Sequence, residues 1–297
     1  MNDFRLSVFL SVVRNKSFTK ASNELHISQP AISQHIKEIE KFYNVRLIAR
    51  NKNTISLTPQ GEIFLSYAND IHNKYQELEF EMNLASQNNK GKLILGASTT
   101  ISQYVLPPIM AVFMKRFPEI ELSLISGNSE QIEESVYNRT VDFGFVEGLI
   151  HKKEFNYSVL AKDELVLVTS FENNTMDEIN TDKLKTLPLI VRENGSGTLA
   201  VLQNTLKNHN IKLSDLNIIM QLGSSESIKR FLKLSKCYAI ISIAAIHDEL
   251  KDNKLRIIEI KDIIIERQFH SIALTGTQNK LSDKFFQFAK VAHKNML

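Results

Sequence analysis

The opening stretch of the chain alternates apolar and polar positions at helical spacing. Between Phe4 and Val13, the residues Leu6, Phe9, Leu10 and Val13 fall three or four apart and predict a helix with one buried stripe. Asn15 and Ser17 interrupt it. Phe18 to Leu25 predicts a short second helix that buries Phe18, Ala21 and Leu25. His26-Ile27 reads as a turn and Ser28 as an N-cap. Pro30 falls in the first turn of a third helix, where its missing N–H costs nothing. That helix, from Gln29 to about Tyr43, places Ile32, Ile36 and Ile39 on one face. Gln29, Pro30, Ser33, Gln34 and Lys37 lie on the opposite face. Residues 45–50 and 55–57 then flank the polar turn Asn51-Lys52-Asn53-Thr54 and predict a two-stranded hairpin.

From Pro59 to about Gln87 no proline or glycine interrupts the chain except Gly61. Phe64, Ala68, Ile71, Tyr75, Leu78, Met82 and Ala85 recur with 4-3-4-3-4-3 spacing, the seam of a two-helix coiled coil. The same residues would equally serve packing on the chain's own domain. The linker-like Asn88-Asn89-Lys90-Gly91 that follows favours pairing between two chains. Beyond it the pattern changes. Apolar strand-like runs at 92–96, 120–125, 141–146, 164–168, 187–191, 217–221 and 239–243 alternate with helical stretches near 101–117, 129–139, 198–209, 225–235 and 244–251. Such alternation predicts parallel sheets flanked by helices. No sequence repeat appears.

A length of 297 residues suggests about two domains. A hydrophobic content of 43% excludes wholesale disorder, and a single cysteine, Cys237, excludes an internal disulfide. The start resembles no secretory signal, and the most apolar stretch, Tyr238 to Ile246, falls far short of the ~18 residues that span a bilayer. These features lead us to expect a cytoplasmic protein with no membrane partner. The net charge of +3 decides little, but its distribution is uneven. Residues 1–58 hold nine Lys and Arg against four Asp and Glu, whereas the remaining 239 hold 27 against 29. A basic head on a near-neutral body suits binding to phosphates, although chance clustering on a solvated face would look the same.

Two helices around a tight turn, with a small Ala21 at their crossing, form a helix-turn-helix pattern. The outward face of the second is polar, and its Gln and Ser side chains are suited to base edges in the major groove. An ordinary three-helix core with a polar outer face would share this spacing. On the first reading, Thr19 and Ser28 touch phosphate, and Gln29, Pro30, Ser33, Gln34 and Lys37 meet base edges. Arg50 and Lys52 at the hairpin tip reach the DNA backbone. Across residues 17–61 the sequence resembles the LysR-type transcriptional regulators. The resemblance is carried by Ser17-Phe18-Thr19-Lys20-Ala21-Ser22, Leu25-His26-Ile27-Ser28-Gln29-Pro30-Ala31-Ile32-Ser33, Ile36-Lys37-Glu38-Ile39-Glu40, Leu47-Ile48-Ala49-Arg50 and Leu57-Thr58-Pro59-Gln60-Gly61. Asn44 stands where a turn glycine is usual, Ile48 where phenylalanine is commoner, and Pro59-Gln60 where a small residue precedes Gly61. The resemblance implies a winged helix-turn-helix that binds double-stranded DNA, a dimerising linker helix and a two-lobed effector-binding domain. Two dimers associating as a homotetramer on an interrupted palindromic operator, with contact to RNA polymerase, would follow.

In parallel sheets, ligands sit beyond the carboxyl ends of the strands. The residues found there by sequence are Ser98, Thr99, Thr100, Asn128, Ser129, Glu147, Thr169, Ser196 and Thr198. Hydroxyls and helix-start amides suit a small anion, and they equally suit plain N-capping. The resemblance continues through Gly96-Ala97-Ser98-Thr99-Thr100, Tyr104-Val105-Leu106-Pro107, Phe113, Phe117-Pro118 and Val141-Asp142-Phe143-Gly144. It implies two α/β lobes similar to periplasmic solute-binding proteins, with effector in the cleft and crossovers near 161–163 and 265–270. Cys237-Tyr238-Ala239 departs from a Gly-rich turn usual there. The domain division expected is therefore α+β. A winged helix-turn-helix occupies 1–58, a linker helix 59–90 and an effector domain 91–297. Lobe I would take 91–162 and 269–297, and lobe II 163–268.

Other chemistries find less support. Gly195-Ser196-Gly197-Thr198-Leu199-Ala200 fits a G-x-G-x-x-A nucleotide fingerprint, but Gln221-Leu222-Gly223 occupies the strand end where an acidic residue is required. There is no G-x-S-x-G, no H-E-x-x-H and no cysteine pair. Of the cleft candidates only Glu147 is ionisable, which disfavours an enzyme, so no catalytic residue, metal or cofactor is expected. A solute-binding receptor would have no use for the basic head.

Overall fold

The computed structural model describes residues 4–51, 54–85, 91–148, 152–173, 176–276 and 279–296. The chain divides into two compact units, Met1–Gln87 and Asn88–Leu297. The first begins with helices α1 (Phe4–Asn15), α2 (Phe18–Leu25) and α3 (Gln29–Tyr43). The hairpin β1 (Ile48–Asn51) and β2 (Thr54–Leu57) follows, then the long helix α4 (Pro59–Ala85). Burial on α1 departs from the single predicted stripe, of which Leu6 and Phe9 are buried but Leu10 and Val13 only half-buried. Val8, Phe9, Ser11 and Val12 are buried with Leu6, because α2 and α3 cover one side and Phe64 of α4 packs edge-on against Phe9 on another. Ser17 caps α2 by accepting from Lys20 N, and His26 closes it with a left-handed φ of 54°. Ser28 caps α3 by accepting from Ala31 N at 3.3 Å. Asn44 ends α3 with a φ of 52°, a conformation asparagine tolerates in place of the usual glycine.

The passage from α3 into the hairpin is held by a buried acid. Glu40 Oε1 accepts from Leu47 N at 2.8 Å and Ile48 N at 3.3 Å, and Oε2 accepts from Arg46 Nη1 at 3.3 Å. α4 enters just as tightly, since a Cβ on Gly61 would lie 2.1 Å from Leu47 O. Only glycine permits that approach. At ~1.5 Å per residue the 27 residues of α4 extend about 40 Å.

The second unit is one continuous mixed sheet with helices on both faces. Its first lobe holds the parallel strands β3 (Gly91–Ser98), β4 (Ile120–Gly127) and β5 (Phe143–Glu147). A π-helical turn (Ile101–Val105) leads into α5 (Leu106–Arg116), and α6 (Ser129–Tyr137) follows β4. β6 (Phe155–Ser170) then runs the length of the unit. The second lobe continues through β7 (Glu178–Ile179), α7 (Thr181–Thr186), β8 (Leu189–Arg192), α8 (Gly197–Asn208), β9 (Ile218–Leu222), α9 (Ser225–Leu232) and β10 (Tyr238–Ser242). It ends with α10 (His247–Lys251) and β11 (Leu255–Ile260). β12 (Ile265–Leu274) returns antiparallel to β6, and α11 (Lys280–Met296) packs back on α5.

The strand order is β4-β3-β5-β12-β6-β10-β8-β9. Each lobe has a parallel core, as the alternating pattern requires. The two strands joining the lobes are antiparallel to their neighbours, and they pair over ten positions with a bulge between Phe269 and His270. Phe113 meets Phe285 and Phe288 of α11 edge-to-face, and Phe117 meets Phe288 in the same way.

Candidate functional site

In the first unit, α3 presents one face to the core and the other to solvent. Ile32, Ile36 and Ile39 are buried. Gln29, Pro30, Gln34 and Lys37 are exposed and Ser33 is half-buried, so all five predicted reading residues share the outward face. Gln29 Nε2 donates to Ser33 Oγ at 3.2 Å, and Gln34 Nε2 to Glu38 Oε1 at 3.0 Å. Thr19 is exposed in the first turn of α2, and Ser28 is exposed at the start of α3. Arg50 lies in β1, and Lys52 lies outside the described residues.

The predicted seam of α4 divides in two. Ala68 is 1% exposed, and Phe64 packs against Phe9 and Tyr43, so these two positions belong to the unit's own core. Ile71, Leu78 and Met82 are exposed, and so are Ile63 and Tyr67, which the heptad pattern does not single out.

In the second unit, the carboxyl ends of β3 and β5 face those of β8 and β10 across a cleft that β6 and β12 bridge. Lobe I contributes Ser98, Thr99, Thr100 and Glu147, and lobe II contributes Ser196 and Thr198. Ser98, Thr100, Glu147, Ser196 and Thr198 are all buried. α8 approaches β5 so closely that a Cβ on Gly197 would lie 1.8 Å from Glu147 O. Ser98 Oγ donates to the Glu147 carboxylate, and Ser129 Oγ donates to Glu147 O at 2.9 Å. Asn128 caps α6 with a capping box and reaches lobe II, donating from Nδ2 to Asn194 O at 3.3 Å.

Thr169 does not join this group. Sequence placed it by the carboxyl end of its strand, but β6 runs antiparallel to β10, so Thr169 sits opposite Tyr238 at the start of β10. The cleft lies at the other end, by Ser242. Thr169 Oγ1 donates instead to Cys237 O at 2.8 Å and accepts from Asn173 Nδ2.

Two arginines that the sequence reading missed dominate the cleft. Arg192, at the end of β8, is buried and donates to both oxygens of Glu193 and to Gly223 O. Arg267, on β12, has a fully buried side chain. It donates from Nε to Asp163 Oδ2 at 2.6 Å and from Nη1 to Thr198 Oγ1 at 2.8 Å, and its Nη1 lies 3.4 Å from Glu147 Oε1. Asp163 in turn accepts from Ser242 Oγ at 2.8 Å. Five of the buried polar atoms without a hydrogen-bond partner among the described residues belong to this cleft: Thr99 Oγ1, Thr100 Oγ1, Ser196 Oγ, Arg192 Nη1 and Arg267 Nη2. Two of these are cationic donors, and an oxyanion would satisfy them.

Tyr104 bridges the lobes, donating to Glu226 Oε1 at 2.5 Å. Lys229 lies 2.7 Å from Glu226 and 3.1 Å from Glu249, and 4.8 Å over the Tyr104 ring. Burial, reinforced by Glu226, pushes the Tyr104 hydroxyl well above the usual tyrosine range. Burial works to raise the Glu226 carboxyl, but hydrogen bonds from Lys229 and Tyr104 outweigh it and hold the group below its ordinary value.

Comparisons with known proteins match each unit to a domain of one family. Residues 4–62 match the bacterial regulatory helix-turn-helix protein, lysR family, and residues 86–293 match the LysR substrate binding domain. The chain is 31% identical over 291 residues to a probable RuBisCO transcriptional regulator of Phaeodactylum tricornutum, covering 96% of this chain and 93% of that protein. It is 29% identical over 280 residues to the HTH-type transcriptional regulator CysL of Bacillus subtilis, covering 93% of each. The regulatory domain of Synechocystis CcmR, solved in complex with 2-PG, superposes with a TM-score of 0.63 at 27% identity. That match covers 70% of this chain and 99% of the CcmR domain.

Proposed function

The chain belongs to the LysR family of helix-turn-helix transcriptional regulators, and from that premise we propose how its parts read DNA and sense a ligand. It is a DNA-binding regulator and not an enzyme. α3 enters the major groove, with Gln29, Pro30, Ser33, Gln34 and Lys37 at base edges and Thr19 and Ser28 at phosphates. Arg50 and Lys52 lie along the backbone beside the groove. The observation that carries this reading is the two-faced burial of α3, with three isoleucines inside and Gln29, Pro30, Gln34 and Lys37 exposed on the opposite face beside half-buried Ser33.

Exposed Ile63, Tyr67, Ile71, Leu78 and Met82 leave an apolar face on α4, which supports a homodimer through 59–90 on an interrupted palindrome. Two dimers form a tetramer that contacts RNA polymerase, in the cytoplasm where its operator lies. We assign the head to 1–58 and the effector domain to 91–297. The lobes meet along β6 and β12, with 91–162 and 269–297 in lobe I and 163–268 in lobe II.

The effector is a small anion held between the lobes. Thr99, Thr100, Ser196, Arg192 and Arg267 all bring unused hydrogen-bonding atoms there, and Ser98, Asn128, Ser129, Glu147 and Thr198 shape the walls. CcmR, a structural relative, was solved with 2-PG. A ligand shifts the arrangement only through different affinities for its two states. Footprinting on the chain's own upstream DNA, with and without 2-PG or another small oxyanion, tests both halves. We expect a protected palindrome whose extent changes with ligand. Failure to protect any fragment at low salt removes the DNA reading, and footprints unchanged by every oxyanion remove the switch.

A further inference from the structure

Glu147 ends β5 with a buried side chain that occupies a place built for an anion. It lies over the first turn of α8, where a Cβ on Gly197 would come 2.7 Å from Glu147 Cγ. Helix N-termini favour negative charge. The same carboxylate accepts from Ser98 Oγ and lies 3.4 Å from Arg267 Nη1. Lobe I thus supplies an anion to the donors of lobe II and of the crossover strand. Those donors are not used up: Arg267 Nη2 and Ser196 Oγ, on residues 4% and 3% exposed, find no partner among the described residues. Around Arg267 the charges are also unbalanced. Glu147 and Asp163, each with a side chain 1% exposed, share one guanidinium, while Arg192 already has Glu193. Two buried carboxylates on one cation repel each other, and that repulsion favours release of the more weakly held one. Asp163 is held at 2.6 Å and Glu147 at 3.4 Å.

We propose that Glu147 is an internal competitor of the effector. Its carboxylate holds Arg267 and the first turn of α8 until the effector's anionic group takes them, and its displacement removes that side-chain tie between lobe I and α8 while the backbone pairing of β5 with β12 is kept. Arg267 is placed to transmit that exchange. It stands on β12, grips β6 through Asp163, and lies two residues from the bulge at Phe269 and His270. The inference rests on the reading of the cleft as an anion site and adds the ion pair that couples occupancy to the hinge. Glu147 is here a positioning residue, and its removal strengthens ligand binding where loss of an ordinary contact would weaken it.

The test is calorimetric titration of full-length protein at neutral pH and constant ionic strength with sulfate, a dianion, and nitrate, a monoanion. Glu147→Gln keeps the shape and the contact with Ser98 but removes the charge. Sulfate affinity is expected to rise about tenfold, with a smaller gain for nitrate, because the repulsion scales with the probe's charge. A purely structural disturbance would move both probes alike. Arg267→Gln is expected to abolish sulfate binding. Sulfate binding that Glu147→Gln leaves unchanged or weakens overturns the competition and spares the anion site. Absence of sulfate binding in both proteins overturns the anion site and the competition together. If Glu147→Gln fails to fold, Ser98→Ala loosens the same carboxylate and is expected to shift sulfate affinity in the same direction; no shift overturns the proposal.

Discussion

Ile36 and Lys37 are neighbours in sequence with opposite tasks. Ile36 is 2% exposed in the core of the first unit, and Lys37 is exposed on the outward face of α3. Ile36→Ala is expected to cost about 2–5 kcal/mol of stability in urea unfolding, because the three-helix core has little freedom to collapse around the loss. Lys37→Ala should leave stability within about 0.5 kcal/mol. With Lys37 at a base edge, the loss of binding is confined to one position of the site; a uniform loss across sequences, with the slope of log K against log salt lowered by ~0.9, would place it at a phosphate instead. Gln34 donates to Glu38, and on the proposed reading it exchanges that bond for a base edge. Gln34→Ala is therefore expected to relax preference at one base pair by about 1–3 kcal/mol, measured by competition between operator variants. The two faces of α3 were legible because a helix repeats its environment every three or four residues. Arg192 and Arg267 were not. Each is a single arginine in a strand, and nothing in period-two alternation distinguishes an arginine in water from one held by buried carboxylates. Sheet pairing brings Asp163 opposite Arg267 across more than 100 residues of chain, a contact no local window contains.

At the scale of elements, α4 shows how a regular pattern can be divided by its surroundings. Phe64 and Ala68 fit the heptad, yet the first turns of α4 lie against α1, which takes these two positions into the core. Beyond that contact Ile71, Leu78 and Met82 remain uncovered, so the apolar face is legible but its first two members are not. Leu78→Lys is expected to shift the full chain from dimer toward monomer in sedimentation velocity at micromolar concentration, with helical content of the head retained. Unchanged sedimentation would place the contact elsewhere. Where α4 begins, Gly61→Ala forces a methyl group onto Leu47 O, so chain must move; we expect a loss of more than ~2 kcal/mol in thermal or urea unfolding. β6 and β12 were the least legible elements. Alternation of strand and helix predicts parallel neighbours, and these two strands are antiparallel links that only the assembled sheet defines. Their direction also explains Thr169, which follows its strand's carboxyl end away from the cleft.

Across the whole second unit, two further contacts tie the lobes besides that of Glu147 with Arg267. On one side Asn128 Nδ2 and Glu130 N donate to the carbonyls of Asn194 and Gly195, neutral bonds that pH does not touch. On the other, Tyr104 donates to Glu226, which with Glu249 holds Lys229. Burial works to raise both carboxyls, but for Glu226 the hydrogen bonds from Lys229 and Tyr104, and for Glu249 those from Lys233 and Lys229, hold them below the ordinary value of 4.5. A carboxylate whose value falls on folding adds stability that is complete above its unfolded value. That stability drains away as pH drops through the lower folded one. The tie is therefore at full strength at neutral pH and is lost in acid, beginning below about 4.5. Glu226→Gln removes one charge and Glu226's share of the dependence, leaving that of Glu249. Thermal melts of the full chain between neutral pH and acid should show the variant less stable than the parent at neutral pH, with the gap narrowing as the parent's own carboxylates are neutralised. Parallel curves would mean that Glu226 titrates alike in the folded and unfolded chain, and that the Tyr104 contact holds the lobes by packing alone.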